Sequence, residues 1–313
     1  MCVGRQHLNA SNVNAVGIIG GRSPVGRHVV QLLEAAEWRV RAFSRSDLAA
    51  HAAASTPALI SHWVYVAHIW SLPEHFAFLR SFGVCRLVAI SSTSRFTKTT
   101  SSDQGERDRA QRLVESEDRV LSWARENEVD CTILRPTLIY GGGDDRNISE
   151  VAAFIRKFGI FPLLGPATGL RQPIHVEDVA AACVAALQRP GLKPAYDISG
   201  REVLAYREMI SRVFYTLGRR PRFVTVPRAA VNAGVGLIRL IPRFRGLSRG
   251  MAERMMSDMV FDHADAARDF GFRARPFVLA PKDIGMPPAI VAKGHVGSYA
   301  QGLTPSKVWR HDS

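Results

Sequence analysis

The stretch VGIIGGRSPVGRHVV, residues 16–30, constrains the fold more than any other. An apolar run stops at Gly20 and Gly21, and helical spacing resumes from Val25. Glycine lets a backbone turn sharply, approach a phosphate and pack a helix against a strand. The spacing expected for such a turn falls on Gly20, Ser23 and Gly26, so a serine takes the middle place. A strand, a glycine turn and a helix in this order predict the first βαβ unit of a parallel sheet. A pyrophosphate would then rest on the helix N-terminus, where free amides and the helix dipole favour an anion.

The same alternation continues through the first half of the chain. Trp38–Phe43, Trp63–Ala67, Leu87–Ile90 and Cys131–Leu134 read as strands. Pro73–Phe82 and the long charged stretch Glu106–Asn127 read as helices. Ala58–Ser61 is the candidate for a further strand in an Ala-rich region. Farther on, Glu150–Phe158, Val179–Leu187 and Tyr206–Leu217 have helical spacing, and Pro173–Val176, Tyr196–Ser199 and Phe223–Val226 read as short strands. Alternating strands and helices predict the α/β class. The expectation is a Rossmann-like doubly wound parallel sheet with a smaller C-terminal α/β substrate lobe. Residues 12–200 would form the sheet domain, with a substrate-side insertion at about 140–175. Residues 201–277 would form the lobe, and 281–313, rich in Pro, Gly, Lys and Ser, a flexible tail.

At the end of the second predicted strand stand Phe43, Ser44 and Arg45. An acid there would suit the ribose hydroxyl of NAD. Ser44 and Arg45 instead suit a 2′-phosphate and favour NADP over NAD, with Asp47 two residues on as the counter-argument.

The 313 residues carry a net charge of +13, with 41 Lys and Arg of which only six are Lys. A net +8 of this falls between Arg219 and Arg254, which holds nine Arg against Glu253. Three readings of that segment stay open: a helix lying on an anionic bilayer, the wall of a phosphorylated-ligand pocket, and a solvated basic face. Nucleic acid is not expected, because no helix-turn-helix, zinc-finger or RNP signature accompanies the charge. The four Cys form no close pair and the ten His show no metal-ligand spacing, so neither a disulfide framework nor a metal site is indicated. Residues 1–15 lack a signal-peptide core and no stretch reaches membrane-span length. A cytoplasmic protein is expected, with membrane association left open by the basic segment.

Together with the glycine turn, the stretches SSTS (residues 91–94), LRPTLIYGGG (134–143) and TGLRQPIHVEDVAAA (168–182) resemble the atypical and extended short-chain dehydrogenase/reductases, in the NAD(P)-dependent epimerase/dehydratase group acting on nucleotide sugars. The resemblance implies that Gly20, Gly21, Ser23 and Gly26 form the cofactor turn. Ala67 and His68 would lie beside the dinucleotide, and Pro136 and Thr137 beside the nicotinamide. Ser92 would hydrogen-bond the reacting oxygen of the substrate. Asn147 and Arg171 would hold the diphosphate of a nucleotide sugar, or another phosphorylated small molecule. Asp178 reads as the cap of the helix that follows it.

The chain departs from the family at the acid/base. Active members carry Tyr-x-x-x-Lys on the long helix, where the phenol moves the proton and the lysine lowers its pKa. Here the helix reads ERDRAQRLVESEDRVL, and by register Arg109 and Leu113 take the two places. Lys98 and Tyr140 are the candidate substitutes, and Glu106 opens the same helix. Two readings follow. One is transient hydride transfer on a nucleotide sugar with a non-standard acid/base. The other is a catalytically silent NADP(H)-binding scaffold or sensor.

Overall fold

A computed structural model describes residues 14–50, 59–143, 145, 147–226 and 254–286. The first half alternates as its pattern predicts: β1 (Ala15–Ile19), α1 (Pro24–Ala35), β2 (Arg39–Phe43), α2 (Arg45–Ala50), β3 (His62–Tyr65), a 3-10 turn at Ile69–His75, α3 (Phe76–Ser81), β4 (Arg86–Ile90), α4 (Ser94–Thr97), α5 (Gln104–Glu126) and β5 (Asp130–Pro136). There follow β6 (Ile139–Tyr140), α6 (Ile148–Phe158), β7 (Phe161–Leu164), β8 (Leu170–Arg171), β9 (Ile174–His175), α7 (Val176–Gln188), β10 (Ala195–Ile198), β11 (Leu204–Ala205), α8 (Tyr206–Thr216), β12 (Phe223–Val226) and α9 (Ala264–Phe270).

Six parallel strands run in the order β10-β5-β4-β3-β1-β2. The strand order reverses between β1 and β3, and in such sheets ligands bind at the carboxyl ends of the strands flanking that point. Of the expected strand Ala58–Ser61, Ala58 lies outside the described residues and the other three do not form a strand. Leu59–Ser61 run without strand pairing, and the Ile60 amide donates to the Phe82 carbonyl before the chain enters β3. Among the described residues β2 is therefore the edge of the sheet.

Side chains alternate across a strand, and that sorts the core into two layers. Val64, Val88 and Leu134 face α1 and α7. Trp63, Tyr65, Leu87 and Ile133 face α3 and α5. Both faces are covered, so these strands read as continuous apolar runs. Phe43, Trp63, Phe78 and Phe82 form an aromatic cluster with centroids 4.9–5.7 Å apart. Cys131 and Cys183 are buried, and desolvation pushes each thiol up to about 12.

A third core holds α6, β7 and α8 together as the smaller lobe, with Ile148, Ile155, Phe161, Met209, Phe214 and Phe277 inside it. Apolar order does not stop before residue 281. Pro281–Ile284 form a 3-10 turn whose Ile284 is fully buried in the lobe, and the Arg156 guanidinium donates to its carbonyl. Residues 287–313 of the expected tail, and residues 227–253 of the basic segment, lie outside the described residues.

Asp178 does not cap α7. The helix begins two residues earlier, and His175 Nδ1 accepts the Glu177 amide as its cap. The buried Asp178 carboxylate accepts instead from the Arg275 amide and Nε, at 2.9 and 2.7 Å. No helix among the described residues is long and apolar enough to cross a membrane.

Candidate functional site

Two clefts open at the carboxyl ends of the strands. The first, of about 1460 Å³, is lined by Gly20–Ser23, Ser44, Asp47, Ala67, His68 and Trp70. The second, of about 1000 Å³, lies between the sheet and the smaller lobe. They meet at Ser91, Ser92, Ser94, Lys98 and Arg109, which line both.

The first cleft is made by backbone. Gly20 has φ +91°, and a Cβ there would stand 2.8 Å from the Ala67 amide nitrogen. A Cβ on Gly26 would stand 2.2 Å from the Gly20 carbonyl oxygen, inside any real contact distance. Ser23 caps α1: its hydroxyl accepts the Gly26 amide at 3.0 Å and donates to the Gly20 carbonyl at 2.8 Å. The serine in place of the middle glycine thus fastens the turn to the helix. Such a bare turn at a helix N-terminus fits a pyrophosphate. His68 lies at the rim, exposed and stacked on Trp70 at 4.3 Å.

At the other end of the first cleft, Asp47 accepts from the Ser44 amide and hydroxyl, both at 2.7 Å. These bonds hold its carboxyl below the usual range. The Ser44 hydroxyl is thereby turned to an acid, an arrangement suited to a ribose hydroxyl more than to a 2′-phosphate. Arg45 starts α2, and its side chain lies outside the described residues.

At the junction, Ser92 Oγ accepts the Ser94 amide at 3.1 Å, leaving its hydroxyl proton for a ligand. Arg109 and Leu113, the register positions of the missing Tyr and Lys, both face the first cleft. Lys98 Nζ stands 4.0 Å from Glu106, whose carboxylate also pairs with Arg254 and accepts from Ser101 at 2.8 Å. Burial pushes the Lys98 ammonium down from its ordinary value, aided by Arg254 and Arg109 and opposed by Glu106. Glu106 is therefore a site residue held by two cations, not merely a charge on the first helical turn.

Beneath the junction, Glu117 of α5 is fully buried. It accepts from Ser91 at 2.5 Å and from Arg135 at 2.6 and 2.9 Å, and pairs with Arg95. The Glu117–Arg95–Arg135 triad, together with Ser91, fixes the strand end that carries Ser92.

Two sequence candidates move out of the chemistry. Tyr140 lines neither cleft. It is fully buried in the lobe, edge-on to His175 at 5.1 Å and Phe277 at 4.8 Å. Burial, with Asp178 and Asp283 nearby, raises its phenol far above neutrality, and its hydroxyl has no hydrogen-bond partner. Arg171 lines the second cleft but is 3% exposed and already spent on backbone. It donates to the carbonyls of Leu170 at 2.7 Å, Ser257 at 2.8 Å and Arg254. Burial lowers its pKa to about 10. Asn147, at the start of α6, lines the same cleft and donates from Nδ2 to the Ile139 carbonyl at 3.2 Å. Pro136 and Thr137 line the second cleft beside Ser92, not the first.

Sequence reasoning counted Arg254 only as part of a charge run. Its partner Glu106 lies 148 residues away, so no local signal marked it. No cluster of metal-ligating side chains occurs among the described residues.

The sheet order and the glycine turn at its switch point define a Rossmann-like α/β fold. Residues 75–199 match the NAD dependent epimerase/dehydratase family. A mitochondrial protein of Arabidopsis thaliana, NADH dehydrogenase [ubiquinone] 1 alpha subcomplex subunit 9, is 30% identical over 203 residues, covering 64% of this chain and 43% of that protein. The 2-alkyl-3-oxoalkanoate reductase of Stenotrophomonas maltophilia (strain K279a) is 30% identical over 169 residues, half of each chain. This chain thus spans about half the length of these curated relatives. Among solved structures, the UDP-glucuronic acid 4-epimerase of Bacillus cereus in complex with NAD superposes with a TM-score of 0.60 at 13% identity, over 87% of this chain and 96% of that one.

Proposed function

We propose that the protein holds an NAD(P) dinucleotide in the first cleft and keeps it bound without the phenol-based turnover of its family. One observation carries this reading. The places of the acid/base pair are filled by Arg109 and Leu113, both facing the cleft, while Tyr140 is sealed in the smaller lobe. The turn Gly20–Gly26 would take the pyrophosphate, and Asp47 a ribose hydroxyl, so NAD is preferred to NADP. A nicotinamide at the junction supplies hydride donation or acceptance. This chain's residues there supply serine hydroxyls, of which Ser92 keeps its proton for a ligand, and the cations Lys98 and Arg109, but no phenol. Guanidinium and leucine side chains can still seat the dinucleotide: Arg109 by its charge, Leu113 by excluding water.

Calorimetry of the full chain with NADH and NADPH tests the binding, and NADH is expected to bind the more tightly. Product analysis after incubation with a panel of nucleotide sugars tests the silence. Failure of both dinucleotides to bind ends the reading, and conversion of any sugar replaces it with the next.

A second reading is transient hydride transfer on a nucleotide sugar, with Lys98 as acid. Its depressed pKa and its place between both clefts favour this. Loss of sugar conversion in Lys98→Met, with dinucleotide affinity retained, is its signature. A peripheral contact with an anionic membrane through residues 219–254 is compatible with either reading and is tested by co-sedimentation with anionic vesicles across a salt series.

A further inference from the structure

We infer that the second cleft takes an amphipathic acid: an aliphatic body with a carboxylate or phosphate head at the junction. This rests on the second cleft alone and stands whether or not the first holds a dinucleotide.

Much of the wall of that cleft is apolar, and part of its polar lining is spent on the fold. Recognition of hydroxyls needs polar side chains whose hydrogen bonds are still available. Here several of them are already used within the protein. Gln172 donates from Nε2 to the Gly200 carbonyl and accepts the Phe261 amide at 2.7 Å. Thr137 donates to the Gln172 carbonyl at 2.5 Å, and Thr93 to the Pro136 carbonyl at 3.2 Å. Asn147 and Arg171 are engaged on carbonyls as described above.

The remaining surface is apolar. From α6 come Val151, Phe154 and Phe158, and facing them are Phe161, Met209 and Met255. Methionine and phenylalanine walls suit a flexible hydrocarbon.

Charge is concentrated where the cleft meets Ser92. Lys98, Arg109 and Arg254 stand there against the single carboxylate of Glu106. Lys157 and Glu150, also in the lining, are of opposite sign. The junction therefore keeps a cationic excess, and Ser92 can donate its hydroxyl proton to an anionic oxygen. An anionic head at one place and hydrocarbon along the rest satisfies both halves of the cleft.

The test is calorimetry of the full chain, below micellar concentrations, with octanoate, decanoate, dodecanoate, dodecyl phosphate, dodecanol and UDP-glucose. The acids are expected to bind one per chain, tightening about fourfold per added methylene. Dodecanol is expected to bind at least about tenfold more weakly than either dodecyl acid, for want of the charge-assisted contact. The comparison of carboxylate with phosphate reports which head is preferred. Phe154→Glu places a charge on the hydrocarbon wall, and Val151→Trp fills the space, so each should abolish dodecanoate binding while melting remains cooperative. Neither residue lines the first cleft. Affinity independent of chain length, retention of dodecanoate binding by both variants, or displacement of dodecanoate by UDP-glucose overturns the inference. NADH binding measured alongside reports on the first cleft separately, so either proposal can fail alone.

Discussion

The two clefts share a floor at Ser91–Ser94 yet are built by different means. The first is made by backbone that comes close to itself: Gly20 beside Ala67, and Gly26 beside Gly20. The second is made by side chains drawn from α5, α6, α8 and the segment at 254–261. A backbone cradle recognises any ligand with a pyrophosphate, because amides and a helix dipole are the same in every chain. A side-chain cleft carries the individuality of the protein. In this chain the cradle is present, and Arg109 and Leu113 face it from the register positions where the resemblance expects Tyr and Lys.

The largest expected effect falls on the floor common to both. Glu117→Gln leaves Arg95 and Arg135 without their buried counter-charge and should cost about 3–5 kcal/mol in denaturant unfolding. A cost below about 1 kcal/mol would show that the triad does not set the junction. Next, Gly26→Val forces a side chain into the Gly20 carbonyl. NADH affinity should fall at least about 100-fold, about 2.7 kcal/mol, with dodecanoate affinity unchanged. Equal losses in both clefts would break the distinction between them.

Lys98 gives a pH signature. An unfolded lysine titrates near 10.4 and the folded one lies lower, so the unfolded chain binds more protons in the window below 10.4. Stability contributed by this residue therefore rises with pH through that window. Lys98→Met should flatten the rise in melting temperature measured across it, and a variant with an unchanged slope would place the ammonium in open water. The smallest effect is that of Tyr140→Phe. Removing a buried hydroxyl without a partner should raise stability by about 1 kcal/mol and leave dinucleotide affinity intact. A drop in NADH affinity would return Tyr140 to the first cleft.

Much of the fold was legible because it rests on local periodicity. The glycine turn, the strand alternation and the register that brings Arg109 and Leu113 to the cleft are all short-range signals. Tyr140 shows where such reading stops. It follows Pro136 by four residues, beside the chemistry in sequence, but β6 leaves the main sheet and carries the ring into the lobe. Arg171 shows the same from the other side. Its charge suggested a diphosphate, yet three carbonyls reach it first, two of them from residues more than 80 positions away. The strand expected near residue 60 failed because a lone short apolar run cannot state whether a neighbour will pair with it.

By itself, then, the sequence determined the nucleotide-type turn, the parallel sheet and the absence of Tyr-x-x-x-Lys, since each is written within a few turns of chain. Only the tertiary structure decided which polar groups remain free to meet a ligand. Hydrogen bonds to distant carbonyls spend Gln172, Thr137 and Arg171 on the fold, and long-range pairing brings Arg254 to Glu106. The physical reason is that a buried donor must be satisfied by whatever acceptor folding brings near, and no local pattern records that partner.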